Sequence, residues 1–174
     1  NPLLTTSAKK DLKIIRNVGE RVLSDDEIHL VFEVLEKTHI AHKNKLLLKL
    51  LLIYGCRVSE LRLAKKEDFD LVKGVWTVPV GNHKTGIITK RALLRPITEN
   101  IKPYIEEVIT LNSTDYVFPV SNANAPVKAR AHIAISTGVI RWLKRHRNID
   151  MAHWSVHALR RTVRTNMSSI TEPH

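Results

Sequence analysis

The segment Leu46-Leu47-Leu48-Lys49-Leu50-Leu51-Leu52-Ile53 constrains this chain more than any other. A surface helix carries one apolar stripe, whereas a helix apolar almost all round has to be covered by other elements. The spacing predicts a buried central helix over about 42–54, with Gly55 as its C′ residue. Lys45 and Lys49 interrupt the apolar run, which falls well short of the roughly 20 residues that span a bilayer. The remainder of the 174-residue chain must therefore wrap this segment, and the length suits one domain. The first residues hold no apolar signal-peptide core, and Cys56, the single cysteine, excludes an intrachain disulfide framework. The expected setting is the reducing cytoplasm, with no membrane partner.

Local signals place further elements around that helix. Residues 1–20, with Pro2, Thr5, Thr6, Ser7 and Gly19, read as an interdomain linker remnant. Ser24-Asp25-Asp26-Glu27 is a capping box, followed by Ile28, Val31, Phe32 and Leu35 at helical spacing. A short amphipathic helix is expected behind Gly55, with Val58, Leu61 and Leu63 turned inward. The period then changes to two. Val75–Pro79 and Lys90–Leu94 read as strands around the polar turn Gly81–Gly86, with Phe69–Leu71 as a third. Helices are expected again over 99–111, capped by Thr98, over 130–146, and from Ser155 through Leu159, Val163 and Met167. The fold class is mainly α (α+β), a helical core with a small antiparallel sheet.

The net charge is +11, and its placement matters more than its size. From Ala125 to Thr165 the cations are Lys128, Arg130, Arg141, Lys144, Arg145, Arg147, Arg160, Arg161 and Arg164, against Asp150 alone. Apolar residues are interleaved throughout, so the charge belongs to a folded surface. A one-sided basic half is the electrostatic footprint of a protein that grips nucleic-acid phosphates.

Three constellations could carry chemistry. In Gly55-Cys56-Arg57-Val58-Ser59-Glu60-Leu61 an arginine stands at a helix N-terminus, where the dipole disfavours a cation, so it calls for an anionic ligand or a carboxylate partner. Glu60, three residues on, could hold it; an ordinary surface pair is the plainer alternative. Lys84, in a Gly-flanked turn, could reach phosphate or simply be solvated. His157 and Arg160 lie at i, i+3 near a helix start and together suit phosphate. Arg161 and Arg164 fall on a more exposed face and, with Lys128 and Arg130, read as plain DNA-backbone contacts. His153 and His157 have a zinc-pair spacing but lack an adjoining glutamate, and Asp68 and Asp70 lack a third carboxylate, so no metal is expected.

Taken in order, Gly-x-Arg-x-x-Glu-Leu, the turn lysine and His-x-Leu-Arg-Arg-Thr resemble the tyrosine recombinase family, the phage integrases. The resemblance runs from residue 21, where Arg21-Val22-Leu23-Ser24 is similar to the start of the family's catalytic domain, and assigns 21–174 to that domain. It implies site-specific DNA recombination through a 3′-phosphotyrosyl intermediate. Arg57 and Arg160 would be the catalytic arginines, Lys84 the acid at the leaving oxygen, His157 the box histidine and Glu60 the supporting carboxylate. It further implies double-stranded DNA as partner, a homo-oligomer (a tetrameric synapse) on that DNA, and a bacterial or prophage origin. Such transesterification conserves bond energy, so no cofactor is expected. The family's nucleophilic tyrosine follows the His-x-x-Arg box, yet residues 161–174 contain none; Tyr54, Tyr104 and Tyr116 all precede it. The expectation is a catalytic domain truncated before its nucleophile, inactive as it stands. The competing class is a basic DNA-binding module without catalysis.

Overall fold

The computed structural model describes residues 21–121 and 123–171, so the expected linker over 1–20 lies outside the described residues. The chain divides into two compact units, one containing the described residues 21–39 and 133–171 and the other Ile40–His132.

The second unit is built on the leucine-rich segment. Helix α2 (His42–Tyr54) buries Leu46, Leu47, Leu48, Leu50 and Leu51. It ends where Gly55 takes the left-handed conformation at φ 51°, a turn that an L side chain resists. A two-residue extended link leads to helix α3 (Val58–Arg62), which buries Leu61 and Glu60. Three antiparallel strands follow in the order β1 (Phe69–Asp70), β2 (Val75–Val78) and β3 (Leu93–Pro96). Trp76 lies at the centre of this sheet, opposite Phe69 on one side and Arg95 on the other. Its ring stacks on Phe69 at 5.3 Å and meets Tyr54 edge-on at 5.1 Å. Helix α5 (Lys102–Thr110) buries Ile105 and Val108 and packs on α2.

Two expectations in this unit are corrected. The connection between β2 and β3 is not the simple polar turn expected over Gly81–Gly86 but a 3-10 turn over Val80–Asn82 followed by the one-turn helix α4 (Gly86–Thr89), and the strand expected from Lys90 begins at Leu93. Pro96 is tolerated because β3 is an edge strand, where a missing N–H breaks no ladder. The helix expected from 99 begins at Lys102 because Pro103 favours its first turn. Thr98 serves it through its carbonyl, which accepts from Ile101 and Lys102 at 2.9 Å, and not through its hydroxyl.

In the first unit the capping box forms as expected: the Ser24 hydroxyl accepts from Glu27 N–H while the Glu27 carboxylate accepts from Ser24 N–H. Helix α1 (Asp25–Lys37) buries Val31, Val34 and Leu35 against helix α6 (Ile133–Arg147), which contributes Ile135, Val139 and Leu143. Helix α7 (Val156–Thr171) turns Val156, Ala158, Leu159 and Thr162 inward. Met167, expected on that face, is 63% exposed. Val163, expected there too, is half-buried, and the inward face instead includes Thr162, whose hydroxyl donates to Ala158 O and accepts from Leu23 N–H, both at 2.9 Å. No described helix is long and apolar enough to cross a membrane.

Candidate functional site

The expected site residues fall into two groups and one outlier. In the second unit, Arg57 occupies the extended link between α2 and α3, with φ −75° and ψ 146°. That extended conformation places it just ahead of α3, whose first turn carries Glu60. The Glu60 side chain is 1% exposed and lies between two arginines. Its Oε1 accepts from Arg57 at 3.4 Å and its Oε2 from Arg95 at 2.5 Å. A carboxylate taken this far from water survives as a charge only with such partners. Arg95 also donates to Tyr54 O at 3.4 Å, and its guanidinium lies 5.6 Å from the Trp76 ring centre and 6.0 Å from that of Tyr54.

Lys84 is exposed in the β2–β3 connection, and its neighbours explain how that connection is held. His83 is buried; its Nε2–H donates to Arg91 O at 3.0 Å and its Nδ1 accepts the Thr85 hydroxyl at 3.2 Å. Gly86 is required by close approach: a Cβ there would lie 2.1 Å from Val80 O and 2.7 Å from His83 Nε2. A histidine clasp thus fixes the backbone on both sides of the lysine. Lys128 and Arg130, also exposed, line a cavity of about 440 Å³ with Lys43 and Asn44.

In the first unit, His157 and Arg160 line one open cavity of about 580 Å³ on α7, with Ser155, Arg161, Arg164, Thr165 and Ser168. Among the described residues no carboxylate lines it, and the sequence of α7 contains no Asp or Glu. Arg161 and Arg164, expected on a separate and more exposed face, are gathered by the cavity with the other two. Arg161 donates to Arg21 O at 3.4 Å, while Arg147, on α6, pairs with Glu33. Part of the basic half is therefore matched by an acid of α1, whereas the cations of α7 have no acid on their own helix.

The phage integrase family model matches residues 21–170. The chain belongs to the phage integrase family. The resemblance carried by Arg57, Glu60, Lys84, His157 and Arg160 leads to this same family, and a mainly helical fold with a small antiparallel sheet is what the chain adopts. No curated protein matches the sequence. Among solved structures, the integrase-family chain is similar to the Tn1549 transposon integrase in complex with circular intermediate DNA, with a TM-score of 0.73 and 16% identity over 88% of this chain and 56% of that one. It is also similar to XerA recombinase, with a TM-score of 0.60 and 21% identity over 88% and 52%. The XerH site-specific recombinase bound to difH substrate gives a TM-score of 0.58 and 19% identity over 86% and 43%. At these identities the likeness is one of fold, and the chain spans about half the length of the solved chains it matches.

Two residues that matter to this geometry are not singled out by the sequence. Arg95 gives only the signal of a lone cation beside a proline in an apolar strand, and His83 that of a polar residue in a turn.

Proposed function

We propose that residues 21–174 form the catalytic domain of a tyrosine-type site-specific DNA recombinase in the bacterial cytoplasm, acting on double-stranded DNA as a homo-oligomer. What supports this most is the cavity that gathers His157 and Arg160, with no carboxylate among its described lining residues, in a chain of this family. A phosphodiester passing through a five-coordinate state gathers negative charge on its non-bridging oxygens. Arg57 and Arg160, always charged and fork-shaped, suit that charge better than lysines. As a tyrosine oxygen bonds to phosphorus, the bond to the 5′ oxygen breaks; Lys84 gives that oxygen its proton, and His157 assists at the nucleophile or holds the phosphate.

The tyrosines within the chain do not suit the nucleophile's role. The Tyr54 hydroxyl is buried without a hydrogen-bond partner among the described residues, and burial pushes its pKa up to about 12. Tyr104 and Tyr116 lie, like Tyr54, upstream of the His157–Arg160 pair.

The test is covalent trapping on a nicked suicide substrate, using a chain that includes a tyrosine downstream of Arg160. Arg57→Ala and Arg160→Ala should each slow trapping by roughly 10²–10³-fold, the loss seen when one transition-state donor is removed, while DNA binding is retained. Normal trapping in both variants overturns the proposal.

A further inference from the structure

We infer that Arg95 is a positioning residue for Arg57, acting through Glu60: it neutralises the buried carboxylate and so leaves the Arg57 guanidinium available to an anionic oxygen. The inference rests on the reading of Arg57 as a phosphate-facing group. Its basis is the balance of charge and exposure. One carboxylate, 1% exposed, lies between two guanidinium groups that do not lose their protons. The cluster is therefore left with one positive charge in excess. Glu60 is engaged unequally, at 2.5 Å by Arg95 and at 3.4 Å by Arg57. Arg95 is the more enclosed, its side chain 17% exposed against 36% for Arg57. Its other contacts hold it there, a bond to Tyr54 O and the faces of Trp76 and Tyr54. The surplus charge consequently falls on Arg57, the arginine nearer to solvent. Without Arg95, Glu60 would have Arg57 as its counter-ion in this cluster, and the pair would be neutral.

The test needs no DNA site, because phenylglyoxal condenses with guanidinium groups according to how free they are. Labelling of each arginine is read by peptide mass spectrometry on the folded chain, with the exposed Arg141 as internal reference. In Arg95→Met, Glu60 should capture Arg57 and slow its labelling about fivefold, a factor that corresponds to roughly 1 kcal/mol. A purely structural role for Arg95 predicts the opposite sign, since a loosened site would label faster. Unchanged or faster labelling of Arg57 in a variant that still melts cooperatively therefore overturns the inference. Adding Glu60→Gln to Arg95→Met should restore the wild-type rate, and persistent slowness also overturns it. If Arg95→Met does not fold, Glu60→Gln alone decides: Arg95 should gain more reactivity than Arg57, and the reverse order refutes the assignment. Random-sequence duplex DNA at low salt should protect Arg57 in the wild-type chain. Absence of that protection removes the phosphate-facing reading, while the labelling order without DNA decides the Arg95–Glu60 link separately.

Discussion

Arg57 and the arginines of α7 are cations of the same kind set in opposite surroundings. Arg57 belongs to a cluster organised by a buried acid, with an aromatic floor beneath its second arginine. Along α7 the guanidinium groups line an open cavity with no carboxylate among its described walls. The first arrangement carries a desolvation cost and gains a fixed geometry. The second retains hydration and raises the local positive potential, at the mercy of salt. Fixed orientation and salt-screened attraction are different properties of a cation, and the two surroundings supply one each.

The contrast can be broken most forcefully at Glu60. Glu60→Ala should destabilise the fold by about 3 kcal/mol, the lower part of the range for breaking a buried pair, because Arg57 can reach water. Denaturant unfolding measures this, and a loss below about 0.5 kcal/mol, the scatter of ordinary surface substitutions, would place the cluster in the same class as the α7 cavity.

A smaller effect sharpens the other side. Removing both Arg161 and Arg164 should leave stability nearly unchanged. It should reduce the slope of log K against log[salt] for duplex DNA by about 0.9 for each phosphate that is no longer neutralised. Arg95→Met should lower that slope by at most about 0.9, the single phosphate that Arg57 no longer neutralises once Glu60 captures it. An unchanged slope in the Arg161 and Arg164 double variant would mean that the cavity does not meet DNA.

The smallest effect is one of alkaline pH. Burial is the main reason that the Tyr54 hydroxyl ionises near 12 rather than 10, with Cys56 adding to the shift and Arg95 opposing it. The folded state therefore holds a proton that the unfolded state releases first. The stability contribution is complete below pH 10 and is lost as pH rises from 10 through 12. Thermal midpoints should fall more steeply across that interval in the wild-type chain than in Tyr54→Phe. Parallel curves would remove Tyr54 from the enclosed half of the comparison.

Elements fixed by their neighbours along the chain are legible in the amino-acid order itself. The Leu46–Leu51 run, Gly55 and the Ser24–Glu27 box are local devices: α2 ends at Gly55 and α1 begins behind Ser24 as they direct. The β2–β3 connection is not legible in this way, because its shape depends on His83 reaching eight residues on to Arg91 O and on Gly86 lying against Val80 O. Arg95 is illegible for a related reason, since its role follows from the register that sets it opposite Trp76. On α7 the hydrophobic pattern favours Met167, but the inward face includes Thr162, whose hydroxyl meets the Leu23 N–H from far along the chain. Arg57 with Glu60, and His157 with Arg160, can be picked out because each pair is only three residues apart in sequence, the first across the start of α3 and the second within α7.

Thr162 belongs to a longer seam. Leu23 N–H hangs on its hydroxyl, Arg21 donates to Ala152 O at 2.7 Å, and Arg161 donates to Arg21 O. Residues 21–23 are thus joined at three points, two through backbone atoms and one through the Arg21 side chain, to α7 and the segment leading into it. Substitutions at Arg21 and at Thr162 therefore act on one seam, which joins this stretch to the helix that carries His157 and Arg160.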